Sequence, residues 1–161
     1  MKELNEMNGE ELMRLYFDII KELKQKNIIH SKNIIGDLGE FVARVFYVPP
    51  KYKELSPQKN NNKDTDAIDT DNKTYSIKTT SIKQTSMFHN LPSPGEPIPQ
   101  TPNFDYVIIV DYSDFTNLRG IYEITWAQFW DLKKWNSTNK AWYLRINKEL
   151  LGVCKTIYTS Q

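Results

Sequence analysis

The stretch DAIDTDNKTYSIKTT, residues 66–80, decides the fold of this chain. Its Asp71-Asn72 pair is typical of a tight turn, and the flanking segments predict the two strands of a β-hairpin. Successive side chains of a strand point to opposite faces. One face of the second strand carries Tyr75, Ile77 and Thr79, and the other carries Ser76, Lys78 and Thr80. A lysine at the centre of this strand fits a plain core strand poorly, so the hairpin is a candidate site.

Helices and further strands are predicted on both sides of the hairpin. A helix over residues 31–48 ends at Pro49-Pro50, because the position before a proline disfavours helical backbone. Residues 106–110 form an apolar run typical of a buried strand, and residues 120–124 predict its antiparallel neighbour. A further strand is predicted at residues 142–146. Capping boxes are predicted where two other helices begin, Asn8 with Glu11 and Thr125 with Gln128, and Asn147 is predicted to cap a last helix.

This order of elements predicts an α/β fold with a central mixed β-sheet flanked by helices. The 161 residues predict a single domain, residues 1–161. Two segments are predicted as loops. Residues 51–65 are polar, and residues 84–103 hold five prolines and no periodic pattern. Long loops of this kind are often functional or mobile.

Composition narrows the functional classes. Hydrophobic residues make up 39% of the chain and the net charge is +1, which is typical of a globular protein and excludes wholesale disorder. No apolar run reaches the roughly 18 residues that a membrane span needs, so no membrane partner is expected. The N-terminus lacks the apolar core of a signal peptide and Cys154 is the only cysteine, so we expect a cytoplasmic protein.

Familiar catalytic motifs are absent from the sequence. Two histidines and one cysteine make a zinc site of the Cys/His type very improbable. There is no phosphate-binding Gly-x-x-x-x-Gly-Lys-Ser/Thr loop and no Gly-x-Ser-x-Gly elbow. His89 lies in the proline-rich loop, where an ordinary surface residue is expected, and Cys154 is expected to serve packing.

The remaining candidate site is a set of acidic residues near the predicted strand that carries Lys78. Asp64, Asp66 and Asp69 precede Lys78, and Glu40 lies beside a stripe of small residues that would let its helix approach a neighbour. Mg²⁺ prefers oxygen ligands and is usually held by one or two carboxylates with water and substrate phosphate. A neighbouring lysine can orient the attacking water. The plain structural alternative is that Lys78 faces solvent on an edge strand and that the aspartates form turns.

These residues resemble the core of the PD-(D/E)xK nuclease superfamily, which has the restriction-endonuclease-like fold. The resemblance rests on Gly39-Glu40, on DAID at residues 66–69 and on YSIK at residues 75–78, and it covers residues 31–83. It implies a mixed sheet with helices on both sides and cleavage of DNA that depends on Mg²⁺, for which Mn²⁺ can substitute. By position it implies Asp66 and Glu40 as metal ligands with the main-chain carbonyl of Ile77, and Lys78 as the catalytic lysine.

One position departs from that family pattern. Ser76 stands where an acidic residue is usual, two positions before the lysine, and a neutral hydroxyl binds Mg²⁺ weakly or through water. The site would then depend on Asp66 and Glu40. This leaves open a catalytically degenerate DNA-binding or assembly module on the same fold. It also leaves open whether Asp64 or Asp69 takes the ligand role of Asp66.

The expected substrate is DNA, and the expected context is a type II restriction endonuclease or a related defence nuclease. Thr80, Ser81 and Lys83 follow the lysine strand and are predicted to contact phosphates. The basic C-terminal fifth of the chain could follow a nucleic-acid backbone. A chain of this size that cuts both strands is predicted to be a homodimer with two sites related by a two-fold axis.

Overall fold

The computed structural model describes residues 2–58 and 63–160. In these ranges the helices are a 3₁₀ helix (Leu4–Glu6), α1 (Gly9–Gln25), α2 (Ile34–Phe46), α3 (Trp126–Leu132) and α4 (Lys148–Val153). The strands in the same ranges are β1 (Leu55–Pro57), β2 (Ala67–Asp69), β3 (Thr74–Thr80), β4 (Tyr106–Ser113), β5 (Asn117–Thr125), β6 (Lys134–Asn136), β7 (Ala141–Tyr143) and β8 (Lys155–Thr159).

The described strands form a mixed six-stranded sheet in the order β1-β2-β3-β4-β5-β8, and β6 pairs with β7 in a separate ribbon. Strands β3 and β4 are parallel, whereas the other neighbours in the large sheet are antiparallel. The predicted hairpin is present as β2 and β3, with Ala67 opposite Tyr75. The predicted α/β class with a central mixed sheet and helices is confirmed.

Both predicted capping boxes are present. The Asn8 side chain accepts the N–H of Glu11 at 3.0 Å, and the Glu11 carboxylate accepts the N–H of Asn8 at 2.8 Å. Thr125 and Gln128 make the same reciprocal pair at the start of α3. Asn147 caps α4 through the N–H of Leu150 at 3.0 Å. These local bonds satisfy the first N–H groups of each helix, which have no partner within the helix.

The chain divides into two compact units, Met1–Leu38 and Gly39–Gln161. The first contains α1 and the first residues of α2. Within it, the buried carboxylate of Asp37 accepts the backbone N–H groups of His30 and Ser31 at 2.8 and 2.7 Å, and it also accepts the Ser31 hydroxyl. Burial raises the pKa of Asp37, but these hydrogen bonds outweigh burial, so the pKa of Asp37 is lowered. The prediction of a single domain stays a prediction.

The second unit has a hydrophobic cluster on each face of its sheet. Strand β4 contributes to both, with Val107 and Ile109 on one face and Ile108 and Val110 on the other, and none of the four has exposed surface. Residues Ala43 and Tyr47 cover one face, whereas residues of α3 and α4 cover the other. The apolar run of residues 106–110 is therefore a strand buried on both faces, as predicted.

Several boundaries differ from those predicted. The predicted loop 51–65 includes β1, which pairs with β2 at residues 55–57, and its residues 59–62 lie outside the described ranges. The second helix is shorter than residues 31–48, and the strand predicted over residues 142–146 ends at Tyr143. No strand was predicted for β8, which depends on pairing with β5 rather than on a local pattern.

None of the helices in the described ranges has the combination of length and apolar character that crossing a lipid bilayer requires.

Candidate active site

The carboxylate of Asp66 is fixed against the strand that carries Lys78. Asp66 directly precedes β2, and its Oδ2 accepts the backbone N–H of Ile77 at 2.6 Å. The backbone N–H of Asp66 in turn donates to the Tyr75 carbonyl at 2.8 Å. The N–H and C=O of one strand residue point toward the same neighbour, so the Ile77 carbonyl faces the side of the strand on which Asp66 lies.

Lys78 is half-buried, and its Nζ lies 4.8 Å from the centroid of the Phe88 ring. Burial lowers the pKa of Lys78 because it disfavours the charged ammonium, while the charges of Asp66, Asp64 and Glu40 oppose this shift. The structure therefore brings the lysine into electrostatic contact with three of the acidic residues that the sequence singles out. The alternative of a solvent-facing lysine on an edge strand is wrong, because β3 lies inside the sheet.

The pKa of Asp66 is shifted in the opposite direction. Burial raises the pKa of Asp66, and the charge of Asp64 adds to the rise, while the bond from Ile77 and the charge of Lys78 lower it. Burial thus favours the neutral form of both the acid and the lysine. The neighbouring charge of Lys78 and the hydrogen bond from Ile77 partly offset this effect for Asp66.

A cavity of about 280 Å³ opens beside Lys78. Its polar wall includes Asp64, Ser76, Lys78, His89 and Asn90, and Phe88 and Phe104 form an aromatic part. Ser76 is 2% exposed and is a buried part of this wall. Asp66 and Glu40, both within the described ranges, lie outside the wall itself.

The proline-rich loop of residues 84–103 builds much of this cavity. Asn90 and Asn103 donate their side-chain N–H groups to the two carboxylate oxygens of Asp64, at 3.0 and 3.2 Å. The loop is also held on Trp142, which exchanges backbone hydrogen bonds with Phe88 and donates from Nε1 to the Pro92 carbonyl at 2.7 Å. A segment without periodic structure is thereby held as one wall of the cavity.

His89 and Asn90 are cavity residues that sequence reasoning missed. The expectation for His89 was an ordinary surface position, and its side chain is indeed exposed, yet it lines the cavity together with Lys78. The sequence feature that could have indicated this position is the neighbouring Phe88, because a large apolar residue in a polar loop is expected to be buried in the core. Phe88 is 4% exposed and anchors this part of the loop in the core.

Glu40 is positioned by a close contact of its helix with β3. Gly39 packs against the Thr79 side chain, and a Cβ at this glycine would overlap the Thr79 hydroxyl. This contact places α2 against the strand at the residue after Lys78, which accounts for the action of Glu40 on the lysine. Gly36 has a different role, since its Cα faces the Asn33 side chain that caps α2.

The two alternative aspartates lie in different surroundings. Asp69 accepts the N–H groups of Asp71 and Lys73 and the hydroxyl of Tyr75, so it organises the turn between β2 and β3. Tyr75 belongs to the strand face opposite Lys78, and the structure does not bring Asp69 to the lysine. Asp64 shares the cavity with Lys78.

The predicted phosphate-contacting residues are separated by the turn that follows β3. The Thr80 hydroxyl is buried and donates to the Gln84 carbonyl at 2.7 Å, while the Ser81 carbonyl accepts from Arg119 at 3.2 Å. Lys83 is exposed and lines a second, polar cavity with Arg145. Of these three residues, Lys83 is the one whose side chain is exposed next to a second positively charged side chain, that of Arg145.

The residues around Asp66 fit the kind of magnesium site in which the protein supplies only one or two ligands. No three His, Cys, Asp or Glu side chains in the described part of the chain are grouped closely enough to share a metal ion. Mg²⁺ commonly uses one or two protein carboxylates and completes its octahedron with water and phosphate oxygens. The Asp66 carboxylate, which accepts the Ile77 N–H at 2.6 Å, and the carbonyl of the same Ile77 are oxygens of that kind.

In comparisons with known proteins, no family model matches this chain and no curated protein matches it.

Proposed function

We propose that this protein hydrolyses phosphodiester bonds of DNA in a reaction that requires Mg²⁺, with Mn²⁺ as a substitute. The observation that carries the proposal is the position of Lys78: half-buried on β3, beside a cavity, and acted on by Asp66, Asp64 and Glu40. This grouping agrees with the resemblance to the PD-(D/E)xK superfamily.

The proposed roles are those that the family resemblance implies, and the positions of Asp66 and Lys78 support them. Asp66, with the Ile77 carbonyl and with Glu40, would hold the ion, and Ser76 would reach it weakly or through water. Bound Mg²⁺ supplies the activation of water and the neutralisation of charge on phosphate. Lys78 would donate hydrogen bonds to the attacking water and to a phosphate oxygen. Thr80, Ser81 and Lys83 were predicted to contact phosphates, and of these the Lys83 side chain, beside Arg145, is the best placed.

The biological context that we propose is a type II restriction endonuclease or a related defence nuclease acting as a homodimer in the cytoplasm. The support is the resemblance of residues 31–83 to that superfamily.

A binding module without catalysis is the second candidate. It is favoured by Ser76, whose neutral hydroxyl replaces the usual acidic ligand, and by the lack of a three-acid group among the described residues. This module would bind DNA when metal is chelated and would cleave no substrate.

The deciding experiment is cleavage of supercoiled plasmid and phage DNA with Mg²⁺, Mn²⁺ or EDTA. The variants are Lys78→Ala and Asp66→Ala, and the matched controls are the exposed residues in Lys21→Ala and Asp71→Ala. We expect cleavage that needs metal, falls at least about 100-fold in the two site variants and is unchanged in the controls. DNA binding without cleavage by the wild type would favour the second candidate, and no salt-dependent binding would exclude both.

A further inference from the structure

The unit of residues 39–161 contains a second cavity, of about 380 Å³, which shares no described lining residue with the cavity beside Lys78. Its lining is polar and cationic, and it consists of Ile82, Lys83, Gln84, Arg145, Ile146 and Asn147. No carboxylate of a described residue belongs to this lining, and neither of the two cations forms an ion pair with a described residue. Two positive charges that no nearby carboxylate balances indicate a site for an anion.

The two cations are brought to one cavity because their chain segments are bonded to each other. The Lys83 carbonyl accepts the backbone N–H of Ile146 at 2.9 Å. The N–H of Thr85 donates to the Leu144 carbonyl at 3.0 Å, and the buried hydroxyl of Thr85 accepts the N–H of Leu144 at 3.0 Å. None of these bonds uses the side chain of Lys83 or of Arg145, so either side chain can be replaced while the bonds stay in place.

The backbone at Lys83 allows the charge to be removed without cost to the fold. The φ angle of Lys83 is +57°, in the left-handed region that asparagine adopts more readily than lysine. The Lys83 side chain is also exposed, so it contributes no buried contact. Lys83→Asn therefore separates an effect on binding from an effect on folding.

The donor groups of this cavity suit phosphate oxygens. A guanidinium presents paired N–H donors that match two oxygens of one phosphate group, and an ammonium adds a point charge. The Arg145 guanidinium carbon lies 5.9 Å from the centroid of the Tyr143 ring, a contact that helps to hold the guanidinium. The side chains of Gln84 and Asn147 add amide groups, which also contact the backbone of nucleic acids.

This cavity and the candidate active site lie along the same stretch of chain. Phe88 lines the cavity of Lys78 and exchanges backbone hydrogen bonds with Trp142, just as Thr85 bonds to Leu144. The five residue steps from Lys83 to Phe88 span at most about 18 Å. Each strand of a DNA duplex carries one phosphate per roughly 3.4 Å of helix axis, so this distance corresponds to no more than about five base-pair steps. One DNA molecule can therefore contact both cavities.

We propose that the cavity of Lys83 and Arg145 binds a backbone phosphate of DNA a few nucleotides from the bond that is cut, and that this binding needs no metal ion. The identity of the ligand rests on the proposed function, whereas the site itself requires no catalysis. A contact with phosphate carries no sequence information, so the site would strengthen the binding of every DNA sequence equally.

The test is fluorescence anisotropy of a labelled DNA duplex in EDTA over a range of salt concentrations. Loss of one phosphate contact lowers the salt slope of binding by about one. We expect this loss in Lys83→Asn and in Arg145→Gln, with binding about five-fold weaker at about 0.15 M salt for duplexes of unrelated sequence. Arg145→Lys keeps the charge and should keep the slope. The control Lys21→Gln, at an exposed lysine of α1, should change neither quantity.

Cleavage of the same duplex with Mg²⁺ separates this inference from the proposed function. If Lys83→Asn and Arg145→Gln bind DNA as the wild type does, the phosphate site is overturned even when the wild type cleaves DNA. If both variants show the reduced slope, the site is supported even when the wild type cleaves nothing, and catalysis alone fails. Polyglutamate that binds as tightly as DNA and is equally sensitive to both variants would assign the cavity to acidic protein segments and overturn the proposal.

Discussion

The backbone N–H of Ile77 donates to the Asp66 carboxylate at 2.6 Å, and this bond joins the entry to β2 to the middle of β3. It holds the Asp66 carboxylate beside Ile77, the residue before Lys78. Burial acts on the pKa of both side chains, raising that of Asp66 and lowering that of Lys78, while each charge favours the charged form of the other. The pair is therefore a coupled unit, and its titration can be measured without any assumption about function.

The first prediction concerns that titration. In the wild type, the pKa of Asp66 lies above the ordinary value for aspartate, and Lys78→Met should raise it further because the opposing positive charge is lost. Carbon-13 NMR of the carboxyl group across pH measures both values. An Asp66 pKa that is equal or lower in the variant would contradict the coupling.

The same shift predicts how stability depends on pH. Because the folded-state pKa of Asp66 is raised, the protonated acid stabilises the fold below its unfolded-state pKa. This contribution is lost as pH rises through the folded-state pKa. Urea unfolding should therefore show that the wild type loses stability relative to Asp66→Asn as pH rises from the unfolded-state pKa to the folded-state pKa of Asp66. Below and above this pH range, the difference in the free energy of unfolding between the two proteins should stay constant.

The second prediction addresses Ser76. Replacement by Glu adds a carboxylate to the cavity wall that Ser76 shares with Asp64 and Lys78. If the site holds Mg²⁺, Ser76→Glu should raise the affinity for Mg²⁺ roughly ten-fold, because ligand charge governs affinity for hard cations. Isothermal titration calorimetry measures this affinity, and Ser76→Gln controls for side-chain size without the charge. Equal affinities in the two variants would argue against a metal site here.

The third prediction concerns the contact of α2 with β3. In Gly39→Ala, the new Cβ would overlap the Thr79 hydroxyl, so we expect a loss of about 1–3 kcal/mol in the free energy of unfolding. Thr79→Ala in the same chain should recover part of the loss, and denaturant titration of the two single variants and the double variant measures the coupling.

Gly152→Ala is the matched control for that series. Gly152 lies in α4, and a Cβ there meets nothing within 4 Å in the described structure. The substitution should be neutral or stabilise the protein by about 0.4–1 kcal/mol. A loss at Gly152 as large as that at Gly39 would show that the loss does not come from the Thr79 contact.

The fourth prediction concerns a buried hydrogen bond that supports the scaffold. The Tyr47 hydroxyl donates to Glu123 at 2.6 Å, and burial raises the pKa of Tyr47, with Glu123 adding to the rise. Tyr47→Phe leaves the buried Glu123 carboxylate without this donor, so the free energy of unfolding should fall by about 1–3 kcal/mol. Thermal and urea unfolding measure the loss. Tyr143→Phe, on a partly exposed ring at the end of β7, is the control and should change little.

Local patterns determined much of the fold. The alternation in β3, the apolar run of β4 and the reciprocal capping pairs at Asn8 and Thr125 are all set by neighbours within a few residues. Such signals act through hydrogen bonds and side-chain directions of the local backbone. The sequence by itself therefore determined the α/β class and the hairpin, and it singled out Lys78 with the candidate acids Glu40, Asp64, Asp66 and Asp69.

Contacts between distant segments decided the rest. Only the tertiary structure brought His89 to the cavity of Lys78, tied Asp64 to Asn103, and paired β8 with β5. It also separated Asp69 from the lysine. These outcomes depend on which chain segments close on one another, and the free energy of that closure comes from burial summed over the whole core. No window of sequence around His89 or Asp64 contains that information.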